Sequence, residues 1–257
     1  MAKKFEKKYR KILCNILENG LFRNDRTGVG SFSLFNVSLK VNIEKHFPII
    51  TGRKIFPKVF NTEFEWFIKG ETNIKRLQDN KVTIWDAWAD KNGDLGPVYG
   101  HQLRNWNSNG IDQLDNVIQS INSNPDSRRH IVSLWNVEQL HQMALPPCYL
   151  YFQFFVRKDK LDMFVVQRSG DMLLGVPYDM CLFARILMHV AKLTGKTPSN
   201  LEVQIIDAHI YQNQIEAVFD YLDTKVYSLP KYFVDADGFI KIPKYKHGPI
   251  ITAPVAV

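Results

Sequence analysis

Two runs rich in β-branched and aromatic residues, 149–156 and 161–167, are separated only by Arg157-Lys158-Asp159-Lys160. A polar tetrapeptide between two such runs makes a tight turn, so this stretch folds as an antiparallel hairpin and commits the second half of the chain to a sheet. Residues 130–135 read as another strand, and 202–206 alternate apolar with polar on the way to Asp207-Ala208-His209-Ile210-Tyr211. The first half is mostly helical in period. Phe5, Tyr9, Ile12, Leu13 and Ile16 form one stripe over the first twenty residues, with lysines opposite and Gly20 as the stop. Residues 58–69 read as a helix burying Val59, Phe60, Phe64 and Phe67, and Leu114, Val117, Ile118 and Ile121 mark another that ends near Asn124-Pro125. Between the first two helices, Phe35, Val37, Leu39, Val41 and Ile43 alternate with polar residues as a strand with one wet face. An apolar helix runs from about Met180 to Leu193 and stops at Gly195. Helices and strands intermix without regular βαβ alternation, so the expectation is an α/β chain of the α+β kind, one domain over 1–257.

Composition narrows the function classes. Hydrophobic residues make up 45% and charged residues 23%, which excludes wholesale disorder. No apolar run approaches the ~18 residues that span a bilayer, and Met1–Arg10 lacks the apolar core of a secretory signal. Cys14, Cys148 and Cys181 are too widely spaced for a disulfide framework or a zinc pattern, so a reducing, cytoplasmic setting and no metal are expected. A formal charge of +7 points to an anionic partner, either a small phosphate or nucleic acid.

Chemistry concentrates around Cys148, which follows two prolines at the head of a strand, where a stiff backbone can hold its sulfur still. Gln167-Arg168-Ser169-Gly170-Asp171 ends the strand that the hairpin pairs with it. An arginine there favours the thiolate, which at pH 7 is otherwise disfavoured by ~2 kcal/mol. Arg26, Arg128, Arg129 and Arg168 all lie in polar, turn-like settings. Four such guanidiniums suit a phosphate dianion, each bonding it bidentately. Read singly, the cysteine is equally a small buried hydrophobe and each arginine a solvated surface charge.

The chain resembles thymidylate synthases in several long motifs spread over its whole length. They are Asn24-Asp25-Arg26-Thr27-Gly28, Val82-Thr83-Ile84-Trp85-Asp86, the segment 94–100, Asp126-Ser127-Arg128-Arg129, 143–148, Gln167-Arg168-Ser169, 174–178 and Ala253-Pro254-Val255-Ala256-Val257. The resemblance implies a sandwich with a twisted mixed sheet, a homodimer, and transfer of one carbon from 5,10-methylenetetrahydrofolate to C5 of a pyrimidine nucleoside 5′-monophosphate. Carried over by position, Cys148 is the nucleophile at C6 of the ring. Arg26, Arg168 and Ser169 hold the phosphate, with Arg128 and Arg129 contributed across the dimer. Gln167 stands beside the substrate, and His209 and Tyr211 bond the sugar 3′-hydroxyl. Glu63 is the acid/base group working through water, and Tyr99 assists removal of the C5 proton. Ile84, Trp85, Asp171, Leu174, Gly175, Tyr178 and Val257 line the folate site.

Two departures from that family fall at the pyrimidine edge. The family asparagine is Asp179 here, and the histidine after the cysteine is Tyr149. A carboxamide both donates and accepts, matching N3–H and O4 of uracil. An ionised carboxylate only accepts, so against O4 it costs ~1–3 kcal/mol, whereas cytosine offers an amino donor at C4. With one proton shared at N3, Asp179 completes a pair with cytosine. The expected substrate is therefore a cytidylate, dCMP or CMP. By analogy with deoxycytidylate hydroxymethylases the expected product is hydroxymethylated, although Trp85, Leu145 and Val257 match groups that exclude water and are compatible with methylation. Capping of the following helix is the bland account of Asp179. The rival enzyme reading is a thymidylate synthase whose Asp179 is protonated and imitates asparagine. A nucleic-acid binder or a cysteine hydrolase are remoter readings. By the same resemblance, Arg53 and Lys54 fall on the family's basic loop and are expected to meet the glutamate carboxylates of a folate, with Phe56 in place of a polar residue there.

Overall fold

The apolar stripe of the first helix dictates where the chain begins to pack. In the computed structural model, which describes residues 2–256, α1 (Ala2–Asn19) buries Phe5, Tyr9, Ile12, Leu13 and Ile16 against the sheet. Val257, expected at the folate pocket, lies outside the described residues. A short strand β1 (Leu21–Arg23) turns through Gly28 and Gly30, both at positive φ, into β2 (Ser31–Asn42). The helices α2 (Pro57–Ile68), α3 (Lys75–Asp79), α4 (Tyr99–Arg104) and α5 (Gln113–Ser123) follow. Then come β3 (Ile131–Ser133), β4 (Tyr149–Arg157), β5 (Lys160–Asp171), α6 (Val176–Leu193), β6 (Thr197–Tyr211), α7 (Ile215–Asp223) and a small ribbon of β7 (Phe233–Val234) and β8 (Ile240–Lys241).

Six strands form one mixed sheet in the order β1-β2-β6-β5-β4-β3, antiparallel except for the parallel pair β5–β6. The fold is thus the expected mixed α/β architecture. The polar tetrapeptide makes the β4–β5 hairpin, with Arg157 opposite Lys160. One sheet face carries Leu39, Leu161, Met163, Val165, Leu201, Val203 and Ile205, all buried where α1 and α6 pack. On the other face Ile131 and Phe155 stay exposed.

Three expectations need correction. β2 starts at Ser31, and Phe35 is 80% exposed because Asn36, at φ 59°, breaks the alternation beside it. α6 begins at Val176 rather than near Met180, with Pro177 in the first turn, where a missing N–H costs nothing. In α2 and α5, Val59 and Ile118 are only partly buried.

Candidate active site

The parallel pair β5–β6 runs into the site with both strands' C-terminal ends side by side. Their register sets Ser169 opposite Asp207 and Asp171 opposite His209. On the far side of β6, Tyr211 pairs with Ser31 of β2, and Gln212 N–H donates to Gly30 O at 2.9 Å. That bond draws the turn carrying Arg26, exposed to solvent, to the end of β6. His209 Nδ1 lies 3.5 Å from Asp207 Oδ1 and its ring meets Tyr211 edge-on at 4.9 Å. The closeness of His209 holds Asp207 below the usual carboxylate range.

Across the hairpin, Arg168 N–H donates to Cys148 O at 2.7 Å. The Arg168 guanidinium bonds the carbonyls of Pro147 (2.8 Å) and Pro146 (2.9 Å) and lies over the Trp135 ring. It therefore braces the Pro-Pro-Cys backbone. Cys148 N–H donates to the Tyr99 hydroxyl at 2.8 Å. The sulfur's state corrects the simple expectation. Burial pushes the Cys148 thiol up, and the charges of Arg168 and Arg26, though they oppose this, do not overcome it.

The aromatic wall beside it is dry. Tyr149, 3% exposed, stacks on Tyr99 with ring centroids 4.4 Å apart and meets Phe183 edge-on. Burial holds both phenols neutral, far above their ordinary range. Trp85 meets Tyr99 and Trp88 edge-on, and its Nε1–H donates to Glu63 Oε1 at 3.0 Å. Glu63 is therefore no polar helix edge: it is buried in α2, and burial pushes its carboxyl up to about 7.

Asp179 lies in the first turn of α6 but caps nothing. The residue before the helix is Gly175, and the Asp179 carboxylate accepts from Gln167 Nε2 at 2.8 Å. The Asp179 side chain is half-buried, and its carboxyl is pushed up to about 8 by burial and by the charge of Glu63. Gln167 is 1% exposed and its Oε1 has no partner among the described residues. At the next register step, Asp171 Oδ1 accepts from the Leu173 and Leu174 amides and Oδ2 from Gln214 Nε2. Leu174, Gly175 and Tyr178 follow on the same turn, and Ile84 is 38% exposed on the Trp85 side. An apolar and aromatic wall ending in a carboxylate fits a folate ring, and beside it Gln214 Oε1 is buried without a partner among the described residues.

Arg128 and Arg129 are not brought to this centre. Phe154 N–H donates to His130 O, so the two arginines lie alongside the far end of β4. At about 3.3 Å per residue that is on the order of 20 Å from Cys148, beyond an arginine's reach. Arg53 also departs from expectation. It is buried and donates to Leu173 O at 2.6 Å, leaving Lys54 as the accessible cation.

A family model described as thymidylate synthase matches residues 7–257. The chain belongs to the thymidylate synthase family. Its members are one-carbon transferases that act at C5 of pyrimidine nucleotides with methylenetetrahydrofolate as cosubstrate. Among the described residues there is no cluster of three or more His, Cys, Asp or Glu to hold a metal, and no helix long and apolar enough to cross a membrane.

Sequence reasoning missed two members of the thymidylate synthase-like site's surroundings. Glu6 of α1, wholly buried, accepts from Thr51 N–H and Oγ1–H, Gly52 N–H and the Tyr221 hydroxyl, and so fixes the loop before Arg53. Its signal was a carboxylate three residues before Tyr9 on the buried stripe. Gln214 carried no signal.

Proposed function

We propose that the chain is a cytidylate 5-hydroxymethylase, acting on dCMP or CMP as a cytoplasmic, single-domain homodimer. The observation that carries this reading is Asp179: a half-buried carboxyl held by Gln167 and within the field of Glu63, with no capping role to explain it. Its raised pKa provides the one proton that a carboxyl needs to bond N3 while its other oxygen accepts from the C4 amino group. Protonation at N3 withdraws electrons from C6, where Cys148 adds.

Around that step the residues divide the work. Arg168, Ser169 and Arg26 bind the phosphate, and His209, fixed by Asp207, bonds the sugar together with Tyr211. Glu63, poised near neutrality, moves a proton at the ring through water while Tyr99 serves C5. Ile84, Trp85, Asp171, Leu174, Gly175, Tyr178 and Val257 hold the cosubstrate, which supplies the carbon. Ile131 and Phe155 leave apolar surface on the uncovered sheet face next to Arg128 and Arg129, as expected where a second copy seats and lends its arginines. Arg128, Arg129 and Ser169, kept as in deoxynucleotide enzymes, favour dCMP over CMP.

A second reading, thymidylate synthesis from dUMP, draws on the same pKa. A carboxyl near 8 is neutral at pH 7 and offers one donor and one acceptor, as asparagine does. Covalent trapping separates the two. With methylenetetrahydrofolate present, 5-fluoro-dCMP is expected to form a stable adduct on Cys148. An adduct with 5-fluoro-dUMP alone overturns the cytidylate reading. Hydroxymethylation leaves the folate unoxidised, so steady appearance of dihydrofolate absorbance with product overturns that part.

A further inference from the structure

Gln214 joins two parts of the molecule that are far apart in sequence. It ends the short turn Gln212–Gln214 between β6 and α7, and its side chain is wholly buried. From one nitrogen, Nε2, it donates to Asp171 Oδ2 at 2.9 Å and to Pro254 O at 3.3 Å. Pro254 belongs to a C-terminal strap. The strap's root is anchored by Gly248 N–H on Thr51 O (2.8 Å) and by Lys54 N–H on Pro249 O (2.9 Å). Beyond that root, the bond from Gln214 is the one hydrogen bond that holds residues 250–256 among the described residues. Asp171, for its part, has Oδ1 occupied by two backbone amides, so Oδ2 is the oxygen that fixes the Gln214 amide.

An ionised carboxylate only accepts, so it locks the Gln214 amide with its NH2 group towards both Asp171 and the strap. If Asp171 ceases to accept, the amide is free to turn over. Its oxygen, now buried without a partner, then faces the Pro254 carbonyl, and two acceptors in contact repel. We propose that Gln214 is a positioning residue that holds strap 250–256 to the Asp171 carboxylate, and thereby sets the cosubstrate side of the site. The last clause rests on the folate reading of that side.

The test uses the full chain with Gln214→Met, which keeps the shape and loses both bonds, and Gln214→Glu, which turns the donor into an acceptor facing Asp171. Trimming of the C-terminus by carboxypeptidase, followed by intact mass in the absence of ligand, reads the strap alone. Loss of one hydrogen bond is expected to speed trimming by ~10-fold in both variants. In turnover, the KM for methylenetetrahydrofolate is expected to rise by a similar factor while the KM for the nucleotide stays within about twofold. Wild-type trimming rates in the Met variant overturn the proposal. Equal worsening of both KM values together with a lowered Tm overturns it as well, because that is the mark of a scaffold residue. The trimming arm needs no ligand, so a failure of the folate reading cannot be mistaken for a failure of the strap.

Discussion

Gln167 Nε2 donates to Asp179 Oδ2 at 2.8 Å, and this single bond ties β5 to the first turn of α6. It also fixes what a substituted residue 179 can present to the cleft. A carboxamide there turns its oxygen towards the Gln167 donor and its NH2 group towards the ligand. Asp179→Asn therefore preserves the bridge and replaces a carboxyl oxygen with an obligate donor. The ratio of kcat/KM for dCMP over dUMP is expected to fall by ~10- to 100-fold, the cost of one mismatched buried polar contact. Steady-state kinetics on both nucleotides decide it, and an unchanged ratio removes Asp179 as the discriminator.

The same pocket makes stability depend on pH. Burial lifts Glu63 to about 7, and burial with the charge of Glu63 lifts Asp179 to about 8. The folded chain thus keeps protons that the unfolded chain loses near pH 4. Their contribution is present at low pH and is lost as pH rises through the folded values. Each retained proton gives a slope of up to about 1.4 kcal/mol per pH unit, falling as pH rises. His189, depressed to about 4 by burial, acts in the opposite sense but below pH 6.5, so the window from pH 7 to 8.5 is free of it. Urea unfolding across that window is expected to show declining stability, and Asp179→Asn to flatten the decline. Parallel slopes in the two proteins would show that Asp179 is ionised in the fold.

Tyr149 stands directly opposite Gln167 in the β4–β5 ladder and stacks on Tyr99, so it joins the strand position of Gln167 to the wall behind Cys148. Tyr149→His restores the family residue and shortens the side chain. Combined with Asp179→Asn, it is expected to move specificity towards dUMP by more than the two single effects added, with a coupling of about 1 kcal/mol. A double-mutant cycle on kcat/KM measures that coupling. Strict additivity would confine Tyr149 to packing.

Legibility followed physical period. The α1 stripe and the β4–β5 hairpin were readable because helix and strand burial repeat in sequence, and every stripe residue is indeed buried. Phe35 was misread because its exposure depends on the positive φ of Asn36, which leaves no periodic trace. The start of α6 was misplaced because Pro177 reads as a breaker, yet fits a first turn. At the site, the closeness of Arg168 to Cys148 was legible from the hairpin. The state of the sulfur was not, because burial is a property of the whole assembly. Gln214 was invisible for a similar reason: its partners Asp171 and Pro254 meet it only in space.

The distance between Cys148 and the Arg128-Arg129 pair makes the oligomer testable through catalysis. Within one chain, β4 separates them by on the order of 20 Å, so a phosphate clamp containing all of these arginines has to be built from two chains. Cys148→Ser and Arg129→Ala should each be inactive as pure proteins, the first lacking its nucleophile and the second its clamp. Mixed under mild denaturant and refolded together, they form hybrids in which one site receives both an intact Cys148 and an intact Arg129. Random pairing of equal amounts makes half the dimers hybrid, with one working site in two, so activity is expected to return to about a quarter of wild type. Titrating one variant against the other should give a maximum at equal proportions. No recovery at any ratio, with both variants folded and dimeric, would mean that the arginine pair serves no neighbouring site.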